Sequence, residues 1–238
     1  MVKERRVIVP AGVERMLDVA LDKALAVQRP AVQAYLDRVR RRQPGLTPAE
    51  VVRQLEHRYL AAVVGIGGAS GAAAAVPGAG TAASLASGAA EVTAFVSATA
   101  MYVLALAELH GVPVSDPEVR RALVVSVLVG ETGIAALEGG AALAEKHWAH
   151  VLARATPRDK VTVVNRYLAG RFVRRLGARQ GALLVGRALP LGIGAAVGAG
   201  GNAALARGAV ATARKAFGPA PEKFPARVVD VAPRTRPH

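Results

Sequence analysis

Along the first forty residues the apolar positions return every three or four places. Val13, Met16, Leu17, Ala20, Leu21, Ala24 and Leu25 share one helical face, and Glu14, Arg15, Asp18, Asp22 and Lys23 take most other positions. That pattern predicts an amphipathic helix from Ala11. Pro30 is expected to end or kink it. A second helix then runs to about Arg42, where Arg38, Arg40, Arg41 and Arg42 complement the C-terminal dipole. Three further helix starts are spelled out in local chemistry. Thr47-Pro48-Ala49-Glu50 is a capping box with proline at the first helical position, Ser115-Asp116-Pro117-Glu118 offers Ser115 or Asp116 as the cap, and Thr156-Pro157-Arg158-Asp159 is a near variant. His110-Gly111-Val112-Pro113 and Phe217-Gly218-Pro219 are stops, with glycine past the helix and proline beyond.

These signals predict helices near 48–64, 81–110, 117–129, 133–155, 157–176, 178–188 and 192–217, with a short helical piece around 68–76. No stretch alternates with period two between hairpin turns. The expected fold class is therefore all-α: a single multi-helix bundle with two Gly/Ala-rich helical segments packed in its core. Amphipathic N-terminal helices fill 1–46 and the main helical domain 47–218. The tail 219–238, with five prolines, is expected to be disordered or extended.

Tyr59 to Ala107 carries a single charged side chain, Glu91. Leu60 to Ala90 is long enough to cross a membrane, but only Leu60, Val63, Val64, Ile66, Val76 and Leu85 are large aliphatics, and Pro77 sits near its middle. Six residues contributing ~0.3–0.6 kcal/mol each give little drive for insertion. The spacing favours packing instead. Gly67 and Gly71, like Gly194 and Gly198, lie four apart on one helix face, a glycine zipper that lets two backbones approach closely. The expected arrangement is a buried hairpin turning at Pro77-Gly78-Ala79-Gly80 and docked against the Leu189–Ala206 segment. Conditional membrane insertion is the alternative.

Charge modifies this picture. The chain carries 31 Lys and Arg against 17 Asp and Glu, a net charge of +14. Residues 154–187 hold nine basic groups against Asp159 alone, while 43–153 is mildly acidic. In the helix expected over 157–176, Lys160, Arg166, Arg171, Arg174 and Arg175 make the strongest candidate for a basic surface that attracts an anionic membrane. Nucleic acid is a poor fit, because no aromatic residues interleave with the basic runs. There is no cysteine, which excludes disulfides and thiolate chemistry. Charges return too early at the N-terminus for a secretory signal.

Catalytic signals are weak. Gly78–Ala83 and Gly198–Ala203 satisfy the loose form G-x-G-x-x-A, but neither follows a strand. Gly68-Ala69-Ser70-Gly71-Ala72 departs from a nucleophile elbow at its last position, so Ser70 reads as a small interface residue. His147 and His150 form a weak metal signal, lacking a further ligand. No cofactor or metal is expected. Glu91 is the sharpest single residue. A buried carboxylate without a partner would suit proton handling, whereas a paired one is structural, and Arg187 or Asn202 could supply the pairing.

The order of these features resembles the EcsC family. The resemblance is carried by GGASGAAAAVPGAGTAASL, by the acidic position that follows it (Glu91, where the family pattern more often has Asp), by ELHGVPVSDPEVRRALVVSVLVG, and by PLGIGAAVGAGGNAALARGAVATARKAF with Asn202. It covers roughly residues 50–217. It implies an α-helical bacterial protein, cytoplasmic or peripheral to the membrane, in a family named after a protein associated with an ABC-type exporter. It makes Glu91 and Asn202 family-pattern positions and assigns no catalytic residue.

The resulting expectation is a non-enzymatic protein at the cytoplasmic face of a membrane, binding anionic lipid or a membrane protein complex, with room for a homo-oligomer. The alternative is a small-ligand or lipid carrier, or an enzyme, with a pocket near Glu91.

Overall fold

The computed structural model describes residues 11–74, 80–130, 147–155 and 193–225. Over these the chain forms six helices and no strand, an all-α fold. They are α1 (Ala11–Arg42), α2 (Pro48–Ala74), α3 (Gly80–Leu109), α4 (Pro117–Val129), α5 (Trp148–Ala155) and α6 (Ile193–Phe217).

α1 continues through Pro30, so the end expected there as one of two outcomes, the other being a kink, does not occur. Leu21, Leu25, Val32, Leu36 and Val39 are buried on one stripe that continues across the proline. Burial on both sides therefore holds the helix together, and Pro30 is itself exposed, so water can serve the carbonyl that the missing N–H leaves unbonded. α2 likewise passes through Gly65, Gly67 and Gly68 without a break, joining two helices that were expected separately.

The capping box forms as spelled. Glu50 N donates to Thr47 Oγ1 at 3.3 Å and Thr47 N to Glu50 Oε2 at 2.8 Å. These bonds from the Thr47 backbone and hydroxyl hold the Glu50 carboxyl below its ordinary range. At α4 the cap is Asp116, whose Oδ1 accepts from Glu118 N at 2.8 Å. At the end of α3, Gly111 takes φ +65 and Val112 N returns to Ala107 O at 2.9 Å, closing the helix through a conformation that glycine adopts at low cost.

α3 is the central helix. Its C-terminal half, from Ala100 to Leu109, is buried on nearly every side, against α1 and α2, with α4 beside it. Ala90–Leu109 has a mean hydropathy of 1.7, enough to cross a membrane by length and composition, yet 67% of it is buried inside the bundle. α6 lies along α2. The Pro77-Gly78-Ala79 turn and the helices expected over 157–176 and 178–188 lie outside the described residues. The expected helix over 133–155 does not pass through His147. That residue takes φ +70, and α5 begins anew at Trp148. The reason is a tether, since His147 N donates to Lys215 O at 2.9 Å and pins the chain to the last turn of α6.

Beyond α6, residues 218–225 form no helix or strand and return to the bundle. Arg40 stacks over the Phe224 ring at 4.8 Å, and a Cβ added at Gly111 would meet Pro225 Cβ at 3.4 Å. Residues 226–238 lie outside the described part.

Candidate functional site

One stripe on α2 (Glu56, Tyr59, Val63, Ser70) faces a stripe on α3 running the opposite way (Tyr102, Thr99, Phe95, Glu91). α6 crosses both with Arg214 at one end and Asn202 at the other. Residues three, four and seven apart on a helix share a face, so these spacings alone bring the polar groups into two layers.

The inner layer is built around Glu91, 6% exposed. Ser70 Oγ donates to its Oε2 at 2.6 Å, and Asn202 Nδ2 donates to its Oε1 at 3.1 Å. The same amide reaches Val63 O, in the middle of α2, at 3.3 Å. A side chain as short as asparagine can touch a helix backbone only where the two helices approach closely. Gly67, four residues on from Val63, is buried at this contact. The carboxylate is thus a paired group at the junction of three helices. Ser70, read from sequence as a small interface residue, is one of its donors.

The outer layer holds two pairs that the sequence reading did not single out. Arg214 grips Glu56 with two bonds, Nε to Oε1 at 2.8 Å and Nη2 to Oε2 at 2.6 Å. Glu56 is 7% exposed; the bidentate geometry supplies the charge and the hydrogen bonds that a buried carboxylate needs. The available signal was positional, since Glu56 sits beside Leu55 and three before Tyr59 on an otherwise apolar face. Next to it the Tyr59 and Tyr102 rings stack at 4.6 Å, 6° from parallel. Thr99 Oγ1 gives its proton to Phe95 O at 2.8 Å, so in the 3.0 Å contact with Thr99 it is Tyr59 that donates. Burial pushes the Tyr59 phenol up to about 12, against the smaller opposing pull of its bond to Thr99. Tyr102 is pushed higher still, by burial first and then by the nearby Glu56 carboxylate, and its buried Oη has no hydrogen-bond partner.

A third polar feature lies where α3 and α6 end together. His110 Nδ1 is 2.8 Å from Leu106 O, and because a carbonyl only accepts, Nδ1 carries the proton. His110 Nε2 is buried and has no hydrogen-bond partner. Burial holds the imidazole below its ordinary value, and nearby His147 adds to the effect. The backbone of Leu106, Gly218 and Pro219 acts in the other direction, the last two without forming a bond to the neutral ring.

The remaining sequence candidates divide as follows. Arg187 and the basic group Lys160, Arg166, Arg171, Arg174 and Arg175 lie outside the described residues. Gly71, Gly194 and Gly198 fall within α2 and α6. His147 and His150 do not share a helix face, because His147 precedes α5 in a left-handed turn. Among the described residues no three His, Asp or Glu side chains are grouped to hold a metal ion.

Against known proteins the chain matches no family model, no curated protein and no solved structure.

Proposed function

We propose that this chain is a non-enzymatic helical protein that works peripherally at the cytoplasmic face of a membrane, binding anionic lipid or a membrane protein complex. The observation that carries the reading is the distribution of charge. Nine basic groups stand against one acid over 154–187, ten against five over 1–42 and seven against two from Arg207 onward, whereas 43–153 is mildly acidic. Lys and Arg near an anionic leaflet contribute about 1 kcal/mol each, so clusters of this size give useful affinity. The burial of Ala90–Leu109 supports a peripheral mode over insertion, because two thirds of it is already buried, packed against α1, α2 and α4. The EcsC-like order of motifs supports the same setting.

The rival reading, a carrier with a pocket at Glu91, has less behind it, since Ser70 and Asn202 already engage both carboxylate oxygens. Liposome flotation at low salt tests the proposal. Recovery with anionic vesicles well above that with neutral ones is expected, and equal recovery with both would sink it.

A further inference from the structure

A groove of ≈ 240 Å³ opens between α3, α4 and α6. Phe95 of α3 and Val127 and Leu128 of α4 line it from one side, and Leu205, Gly208 and Thr212 of α6 from the other. Among the described residues that line it, none is charged. Their one hydroxyl, on Thr212, donates to Gly208 O at 3.0 Å and is already used within α6. The groove therefore offers contact to apolar matter and little to a polar molecule.

Its dimensions narrow the choice further. The α6 side runs from Ala204 to Thr212, about 12 Å of helix. Spread over that length, the volume leaves a cross-section of about 20 Å², that of one extended hydrocarbon chain. A partner helix, about 10–12 Å across with its side chains, is far too wide. Gly208 keeps the slot open. Glycine weakens a helix interior relative to alanine, and a Cβ here would meet nothing within 4 Å, so no neighbour inside the molecule requires it. A larger side chain would instead enter the groove.

The mouth is positive. Arg207 is exposed, three residues from Ala204 and four from Ala211, which are exposed on the groove side, and such spacings share a helix face. It makes no ion pair with another described residue. No acid occurs anywhere in α6. On α3 the carboxylate one turn before Phe95, Glu91, is held by Ser70 and Asn202. A narrow apolar slot with a guanidinium at its edge complements a slender chain that ends in a single negative charge.

We propose that this groove binds a free fatty-acid anion, its chain laid along α6 against Phe95 and Leu128 and its carboxylate at Arg207. This goes beyond the membrane reading and does not depend on it, because the ligand is taken as a monomer from solution.

Decanoate, kept below its micelle concentration, is titrated into the full chain while the methyl resonances of Val127, Leu128 and Leu205 are followed by NMR. Saturable movement is expected. Octanoate, two methylenes shorter, should bind up to about fifteenfold more weakly, at about fourfold per buried methylene. Arg207→Gln should weaken decanoate by up to about fivefold, the range for an exposed ion pair, and leave decanol unchanged. Gly208→Leu fills the slot from its open side and should abolish saturable binding of both. Circular dichroism confirms that the variants fold, and the wild-type titration needs no substitution.

Methyls that stay still, or a folded Gly208→Leu chain that binds decanoate as wild type does, overturn the proposal. Equal binding of decanol and decanoate, unchanged by Arg207→Gln, removes the anion and overturns it as stated. A wild-type dimer in sedimentation that Gly208→Leu converts to a monomer would give the groove to a second copy of the chain and overturn it too. Flotation keeps the two readings apart. Lost decanoate binding with intact recovery on anionic vesicles sinks the groove alone, and the reverse result sinks the membrane reading alone.

Discussion

The Asn202 amide on α6 donates to the Glu91 carboxylate on α3 across 3.1 Å and to Val63 O on α2 across 3.3 Å. One short side chain thus ties three helices at a level where α2 presents glycine and serine in place of larger groups. The junction is specified by hydrogen bonding, in a region whose alanines and glycines offer few distinctive shapes for packing to recognise.

Removing either donor should therefore destabilise the bundle. Ser70→Ala and Asn202→Ala are each expected to cost about 1–3 kcal/mol, the range for a hydrogen bond to a buried charged group. Because both donate to Glu91, the double variant should depart from additivity. Urea unfolding of the four chains measures this, and strict additivity would mean that the two contacts are independent.

Arg214→Met leaves Glu56 buried without its bidentate partner. A loss of about 2 kcal/mol is expected, below the ~3–5 kcal/mol for a fully buried pair, because the guanidinium is largely exposed and screened by water. The denaturation midpoint in urea is the readout, with Arg214→Lys recovering only part of the loss.

His110 gives folding a pH dependence with a definite sign. Its folded-state value lies below the ordinary 6.5, so as pH falls through that value the unfolded chain takes up a proton that the folded chain resists. The stability it contributes is complete above the ordinary value and is lost as pH falls towards the depressed folded one. Unfolding free energies measured from neutral to mildly acidic pH should show a slope that His110→Gln reduces. The loss from Glu50, lowered from 4.5, belongs to a separate and more acidic window.

The stacked tyrosines should respond oppositely to loss of a hydroxyl. Tyr59→Phe removes the donor to Thr99 and is expected to cost about 1 kcal/mol, whereas Tyr102→Phe removes a buried oxygen without a partner and should be neutral or stabilising. Thermal unfolding of the two variants separates them.

Glycines divide in the same way. A Cβ at Gly65 or Gly68 would meet nothing within 4 Å, so alanine at either position should stabilise α2 by about 0.5–1 kcal/mol through helix propensity alone. Gly218 has φ +77 and faces the His147 ring. Gly218→Ala should cost about 1–2 kcal/mol from the backbone conformation, with the steric contact adding to it. Melting temperatures shifting in opposite directions would show the contrast.

Local rules and periodicity were enough to establish the helical class and, among the described residues, most helix starts and stops, and they singled out Glu91, with Asn202 as one of its two candidate partners. A capping box, a glycine stop and a run of apolar residues act over one or two turns, so their meaning is complete within a few residues. They failed where a distant contact overruled them. Pro30 did not end α1, because Leu21 and Leu25 before it and Val32, Leu36 and Val39 after it are buried on one stripe. His147 broke an expected helix because Lys215, far along the chain, holds its N–H. The pairing of Glu56 with Arg214, separated by 158 positions, and of Ser70 with Glu91 depended on the antiparallel register of α2 with α6 and α3. No local pattern encodes that register. It follows from how closely small-residue faces approach, and only the assembled bundle decides which buried polar group meets which.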